Sequence, residues 1–163
     1  MKLYIIRHAV AIERGSGVAD EDRNLTSRGR EAFRLNAKAF AKKVVPPDCI
    51  VTSPLVRCVQ TADIVAEALA FSGELMIARD MAPGFDLHGF YRVINSCGGA
   101  QKIAIIGHEP DLGILVESLL KLKQPFSLKK GMIVALDLDP HQKNMPGRLN
   151  WTMHKGKKSA EIK

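Results

Sequence analysis

A chain of 163 residues has room for one core that folds without metal or disulfide staples, and 46% apolar with 25% charged residues excludes a disordered or fibrous chain. Lysine and arginine outnumber aspartate and glutamate by 24 to 17, and the resulting net charge of +7 favours anionic partners such as phosphates, nucleic acid or acidic protein surfaces. Cys49, Cys58 and Cys97 are odd in number, widely spaced and without a C-x-x-C pair, which argues against a disulfide framework or structural zinc and for reduced, buried thiols.

The first element is the apolar run Leu3-Tyr4-Ile5-Ile6, too short for a helix and without alternation, the pattern of a strand covered on both faces. Met1-Lys2 leads straight into it with no signal-peptide pattern, and no run reaches spanning length, so the expected location is cytoplasmic with no membrane partner. The strand ends in Arg7-His8, two cations that cost free energy at the end of a buried element unless an anion completes them. A polar loop, Ala11 to Leu25, follows, long enough to suggest a functional role. Phe33, Ala37, Phe40 and Val44 then recur at helical spacing, with Thr26 or Ser27 as N-cap and Pro46-Pro47 as stop.

Cys49 to Thr52 reads as a second buried strand. The helix after it carries Leu55, Val59, Ala62, Ala66 and Leu69 on one face, with Ser53 as cap and Pro54 at the first helical position. Leu87, Phe90 and Ile94 predict a shorter helix closed by Gly98-Gly99. Ile103 to Ile106 predicts a third buried strand, and Leu112, Leu115, Val116, Leu119 and Leu120 a helix begun by Pro110. Met132, Val134, Leu136 and Leu138 alternate, as do Leu149, Trp151 and Met153, which predicts a terminal antiparallel hairpin. The order implies a three-layer α/β/α sandwich, a mostly parallel mixed sheet with a C-terminal hairpin, in one domain over residues 1–154. Residues 155–163 are expected as a basic tail. Because the cluster His154-Lys155-Gly156-Lys157-Lys158 falls there, among solvated positions, nucleic acid is not the expected partner.

Three buried strands end in chemistry: Arg7-His8, Ser53-Pro54-Leu55-Val56-Arg57, and Gly107-His108-Glu109-Pro110. In open α/β sheets ligands bind outside the carboxyl ends of the strands, so two arginines and two histidines converge on one cationic cleft. Two of these connections enter helices at a proline, adding N–H groups and positive dipole ends, and phosphate is the natural anion for such a place. Singly, a histidine at a strand end is more often structural. A metal reading uses His8, His108 and Asp111 or Glu109, but the flanking arginines repel a divalent cation, so no metal or cofactor is expected.

These segments resemble the histidine phosphatase superfamily, the phosphoglycerate-mutase-like fold, and within it the short bacterial phosphohistidine phosphatase branch. Ile6-Arg7-His8-Ala9 is similar to its Arg-His-Gly signature, with alanine for the glycine. Leu25-Thr26-Ser27-Arg28-Gly29 resembles its Leu-Thr-x-x-Gly helix start, Ser53-Pro54-Leu55-Val56-Arg57-Cys58-Val59-Gln60-Thr61 its Ser-Pro-x-x-Arg-x-x-x-Thr, and Gly107-His108-Glu109-Pro110 its Gly-His-x-Pro. The general acid, a Glu between the second and third strands in the family, has no direct counterpart. Asp80 aligns best and Asp86 is the other candidate, although Asp86 ahead of Leu87 also suits a helix cap.

The resemblance implies that His8 is the nucleophile, forming a phosphohistidine, and that Arg7, Arg57 and His108 form the phosphate clamp, with Ser53 and Glu109 in substrate-binding positions. The chemistry agrees: a neutral imidazole, with a reference pKa of about 6.5, can attack phosphorus, and His108, if protonated, joins the arginines in stabilising charge on the equatorial oxygens. Val65 to Arg79 leaves little room for a lid, so a phosphorylated protein is the expected substrate. A small phosphoester substrate, or a non-catalytic phosphate-binding domain, are the alternatives.

Overall fold

The computed structural model describes residues 1–141 and 145–162. One seven-stranded sheet has the order β3-β2-β4-β1-β5-β6-β7. Strands β1 (Lys2–Arg7), β2 (Cys49–Thr52), β3 (Glu74–Ile77) and β4 (Lys102–Gly107) run parallel, while β5 (Ile133–Leu138), β6 (Gly147–His154) and β7 (Lys157–Ser159) add antiparallel strands beyond β1. The expected α/β/α sandwich is found.

Alternation along β1 divides the core. Leu3 and Ile5 point to one face, where they pack with Phe90 and Val93 of α3 (Leu87–Ser96) and Leu112, Leu115 and Val116 of α4 (Asp111–Leu120). Tyr4 and Ile6 point to the other, against Phe33, Ala37 and Phe40 of α1 (Ser27–Ala41) and Ala62 and Val65 of α2 (Val56–Leu69). Both layers are closed, which is why these strands read as continuous apolar runs. Each fully buried Ile or Leu stabilises the fold by roughly 1.5–3 kcal/mol. Tyr4 meets Phe40 edge-on, ring centroids 5.1 Å apart.

Several details differ from the sequence reading. Helix α1 stops at Ala41, one turn before Pro46-Pro47. Ser53 does not cap α2: Leu55 holds the N-cap position without a side-chain hydrogen bond, and Pro54 lies outside the helix. Strand β3 was not expected; it is an edge strand with Leu75 and Ile77 exposed, so its four residues carry no burial pattern. The basic segment expected as a tail is tied down. Lys157–Ser159 pair with Thr152–His154, Gly156 N–H donates to Asn36 Oδ1 at 2.7 Å, and the Lys158 ammonium lies 5.6 Å from the centre of the Trp151 ring. The β5–β6 connection includes residues outside those described. Among the described residues, no helix is long and apolar enough to cross a membrane.

Candidate active site

The carboxyl ends of β1, β2 and β4 are adjacent, because β4 pairs with both β1 and β2. His8 N–H donates to Gly107 O at 3.1 Å and Ser53 N–H to Ile106 O at 3.0 Å, so the segments leaving the three strands stay in register. They open on a cleft of about 370 Å³ lined by Arg7, His8, Arg57, His108 and Glu109, with Glu13, Arg14, Arg23 and Lys130 around them.

Local chemistry explains the recurring motifs. Thr26 accepts the Gly29 N–H at 2.9 Å and caps α1, while a Cβ on Gly29 would stand 2.1 Å from the Val10 carbonyl oxygen, so the helix approaches the chain after His8 closely only because that side chain is absent. Thr61 Oγ1 donates to Arg57 O at 2.6 Å and accepts from Ala9 N–H at 3.1 Å, tying the first turns of α2 to the residue beside the nucleophile candidate. At the α2 terminus one N–H is already taken, since Val56 N–H donates to Glu21 O at 3.0 Å.

The two histidines are neutral, and their tautomers follow from their partners. Nδ1 of His8 lies 2.7 Å from the Ala9 carbonyl, which can only accept, so Nδ1 carries the hydrogen and Nε2 keeps its lone pair. Burial pushes the His8 pKa down to about 3; the Ala9 bond opposes this and the charges of His108, Arg57 and Arg7 add to it. Nδ1 of His108 lies 3.3 Å from Nη2 of Arg57, which can only donate, so Nε2 carries the hydrogen and donates to Ser53 Oγ at 2.7 Å. Burial, then the Arg57 charge, lowers the His108 pKa to about 4. The four expected residues, Arg7, His8, Arg57 and His108, line one cleft, but its fixed charge comes from the arginines; His108 is neutral, with its one N–H bound to Ser53. The rings of His8 and His108 are 5.5 Å apart.

Arg7 donates through Nη1 to the Leu128 carbonyl. Burial lowers its pKa and the charge of Glu109 opposes that. Arg57 is 2% exposed and donates to Asp20, through Nη1 to the carbonyl oxygen and through Nη2 to Oδ2 at 3.0 Å. Nε of each guanidinium is buried without a partner among the described residues. Glu109 lines the cleft but is engaged: its oxygens accept from Leu128 N–H at 3.2 Å and Ser127 O–H at 3.1 Å, holding the loop that Arg7 also holds, and burial raises its pKa. Ser53 is fully buried and reaches the cleft only through His108.

Neither acid candidate is brought in. Asp80 lies in a single 3₁₀ turn and is held by Arg92 through hydrogen bonds of 2.7–3.1 Å; those bonds lower its pKa, the wrong direction for a proton donor. Asp86 caps α3, accepting Gly89 N–H at 2.8 Å. Pro83, between them, lines the cleft instead. The metal reading gains nothing either: among the described residues no group of three or more His, Cys, Asp or Glu is placed to hold an ion. Sequence reasoning missed Asp20, Arg14, Arg23 and Lys130. The loop's length drew attention to the region, but nothing in its composition said which of its charges face inward. The three thiols are free and buried.

The chain is similar to several known proteins. The family model for the histidine phosphatase superfamily (branch 1) matches residues 3–80. An uncharacterised protein of Picosynechococcus sp. is 32% identical over 140 residues, 83% of this chain and 84% of that one. Phosphohistidine phosphatase SixA of Escherichia coli K12 is 27% identical over 155 residues, 94% and 93% of the two chains. A structure of the protein histidine phosphatase SixA complexed with tungstate superposes with a TM-score of 0.83 at 25% identity, covering 95% of this chain and 97% of that one. The motif residues, the mixed seven-stranded sheet and these similarities, which support phosphatase activity, place the chain in the histidine phosphatase superfamily, in its SixA-like branch.

Proposed function

We propose that the protein is a metal-independent phosphohistidine phosphatase of the cytoplasm that removes phosphoryl groups from a phosphorylated protein by way of a covalent phosphohistidine on His8. The observation that carries this reading is the tautomer of His8: the Ala9 carbonyl holds the hydrogen on Nδ1 and leaves a lone pair on Nε2. Burial keeps that imidazole neutral at working pH. Nε2 attacks phosphorus, the bond from phosphorus to the leaving nitrogen breaks, and water then attacks the phosphoenzyme, releasing inorganic phosphate and returning His8. Arg7 and Arg57 supply fixed positive charge for the three equatorial oxygens, and neutral His108 stands beside them in the cleft with its one N–H given to Ser53.

A protein phosphohistidine suits the cleft because its leaving group asks little of an acid. Transfer from one imidazole nitrogen to another is close to an exchange of like bonds, whereas a sugar alkoxide leaves only when protonated. Asp80 and Asp86 are engaged elsewhere and Glu109 holds the 127–128 loop, so none of these three carboxylates is free for that duty. Free buried thiols suit a reducing compartment. His108, neutral here, takes up a proton more readily once a phosphoryl dianion adjoins it.

The test is a comparison of wild type and His8→Ala against a phosphohistidine protein and p-nitrophenyl phosphate with chelator present. Expected are an acid-labile phosphoryl label on wild type and a loss of turnover of about 10³-fold or more in His8→Ala. A label that survives in His8→Ala refutes the nucleophile. Faster turnover of p-nitrophenyl phosphate favours a small phosphoester, phosphate binding without turnover favours an adaptor domain, and loss of activity to the chelator favours a metal.

A further inference from the structure

The loop from Ala11 to Leu25 meets the arginines of the cleft through one carboxylate. Asp20 supplies two acceptors to Arg57, its carbonyl oxygen to Nη1 and Oδ2 to Nη2 at 3.0 Å, so both ends of the guanidinium fork are set by a single residue. Its other oxygen, Oδ1, accepts from Nε of Arg23 and Nε of Arg14, each at 3.1 Å. All three arginines line the cleft, and Asp20 is not among the lining residues. The neighbouring Glu21 carbonyl accepts from Val56 N–H, which fastens this stretch to the start of the helix that carries Arg57. A long arginine side chain samples many rotamers when nothing holds it, and phosphoryl transfer depends on donors already in place.

We propose that Asp20 is the positioning residue of the phosphate clamp, holding Arg57 in the orientation that phosphoryl binding uses and gathering Arg14 and Arg23 beside it. This rests on the reading of the cleft as a phosphoryl site. Asp20 acts through the arginines and does not meet the substrate. It has two opposed effects: its negative charge disfavours an anion in the cleft, and its acceptors favour one by orienting the donors. Its side chain is 39% exposed, so its ion pairs add little stability and its effect belongs in ligand binding. The arrangement also reaches His108, since the nitrogen of Arg57 that Asp20 holds also donates to His108 Nδ1.

The opposed effects are separated by three variants, with inorganic phosphate as the probe and calorimetry as the readout. Asp20→Ala removes the charge and the side-chain acceptors but keeps the carbonyl oxygen; Asp20→Asn removes the charge and keeps one side-chain oxygen; Asp20→Glu keeps the charge and displaces it by one methylene. Expected is roughly tenfold weaker phosphate binding by Asp20→Ala than by Asp20→Asn, and weaker binding by Asp20→Glu than by wild type. In an Arg57→Ala background the difference between Asp20→Ala and Asp20→Asn should shrink, a coupling that a merely structural role does not produce. Equal affinities of the alanine and asparagine variants, an undiminished difference without Arg57, or wild-type affinity in Asp20→Glu would each overturn this inference alone. Should Asp20→Ala fail to fold, the comparison of Asp20→Glu with wild type, with and without Arg57, decides it. Absence of phosphate binding by the wild type overturns the phosphoryl reading itself, and this inference with it.

Discussion

At the scale of single residues, the site works by withholding protons from its histidines. In the proposed mechanism, a histidine that stays neutral through burial needs no base to activate it, and the Ala9 carbonyl decides which nitrogen would attack. Following the ring resonances of His8 and His108 by NMR from pH 8 to pH 5 should show neither changing charge, because both pKa values lie below that range. A midpoint near the ordinary value of about 6.5 for His8 would contradict the neutral nucleophile. His8, Arg7, Arg57 and His108 could be picked out beforehand because each follows a buried strand, and strand ends are where open α/β sheets bind ligands. Ser53 could be picked out but not understood. As a serine before a proline it looks like a cap, and only the fold brings His108 to 2.7 Å from its hydroxyl.

Among the elements, α1 shows how a short motif serves the site. Helix propensity favours alanine over glycine by roughly 1 kcal/mol, so on propensity alone Gly29→Ala is a gain. The close approach of α1 to Val10 reverses that sign. The new methyl group meets a backbone oxygen that cannot swing aside, and an overpacked contact of this kind costs about 1–3 kcal/mol. Denaturant unfolding should give Gly29→Ala a lower midpoint than wild type, with reduced phosphatase activity because Val10 is two residues from His8. A midpoint at or above wild type would show that the helix yields. Helices were legible because their apolar faces repeat, and the buried strands because both their faces are covered. Strand β3 was not, since an edge strand of four residues with three of them exposed to solvent lacks both signals.

For the whole molecule, the neutral histidines make stability depend on pH. In the unfolded chain His8 and His108 bind protons near their ordinary value of about 6.5, whereas in the fold they do so only near about 3 and about 4. From about pH 6.5 downward the unfolded state therefore holds more protons than the native state, and stability falls as pH falls. Paired carboxylates whose pKa values lie below the usual range, such as Asp48 and Asp137, add their losses at lower pH still. Urea midpoints measured between pH 7 and pH 4.5 should drop steadily for wild type and more shallowly for His108→Asn. A flat wild-type profile would contradict the assigned protonation states.

Local chemistry wrote much of this protein into its sequence. Covered strands must be apolar throughout, amphipathic helices must repeat every three or four residues, and a chain alternating the two becomes a sandwich whose strand ends share a cleft. Three motifs at those ends carried the residues proposed as the phosphate clamp. What the tertiary structure alone decided are matters of partnership between residues far apart in the chain: Asp20 with Arg57, Ser53 with His108, Glu109 with the 127–128 loop, Asp80 with Arg92, and the basic C-terminal segment with β6. A charged side chain looks the same in a sequence whether it faces water, a ligand or another charge. Its role is fixed by distance and burial, and those exist only once the sheet has brought the strand ends together.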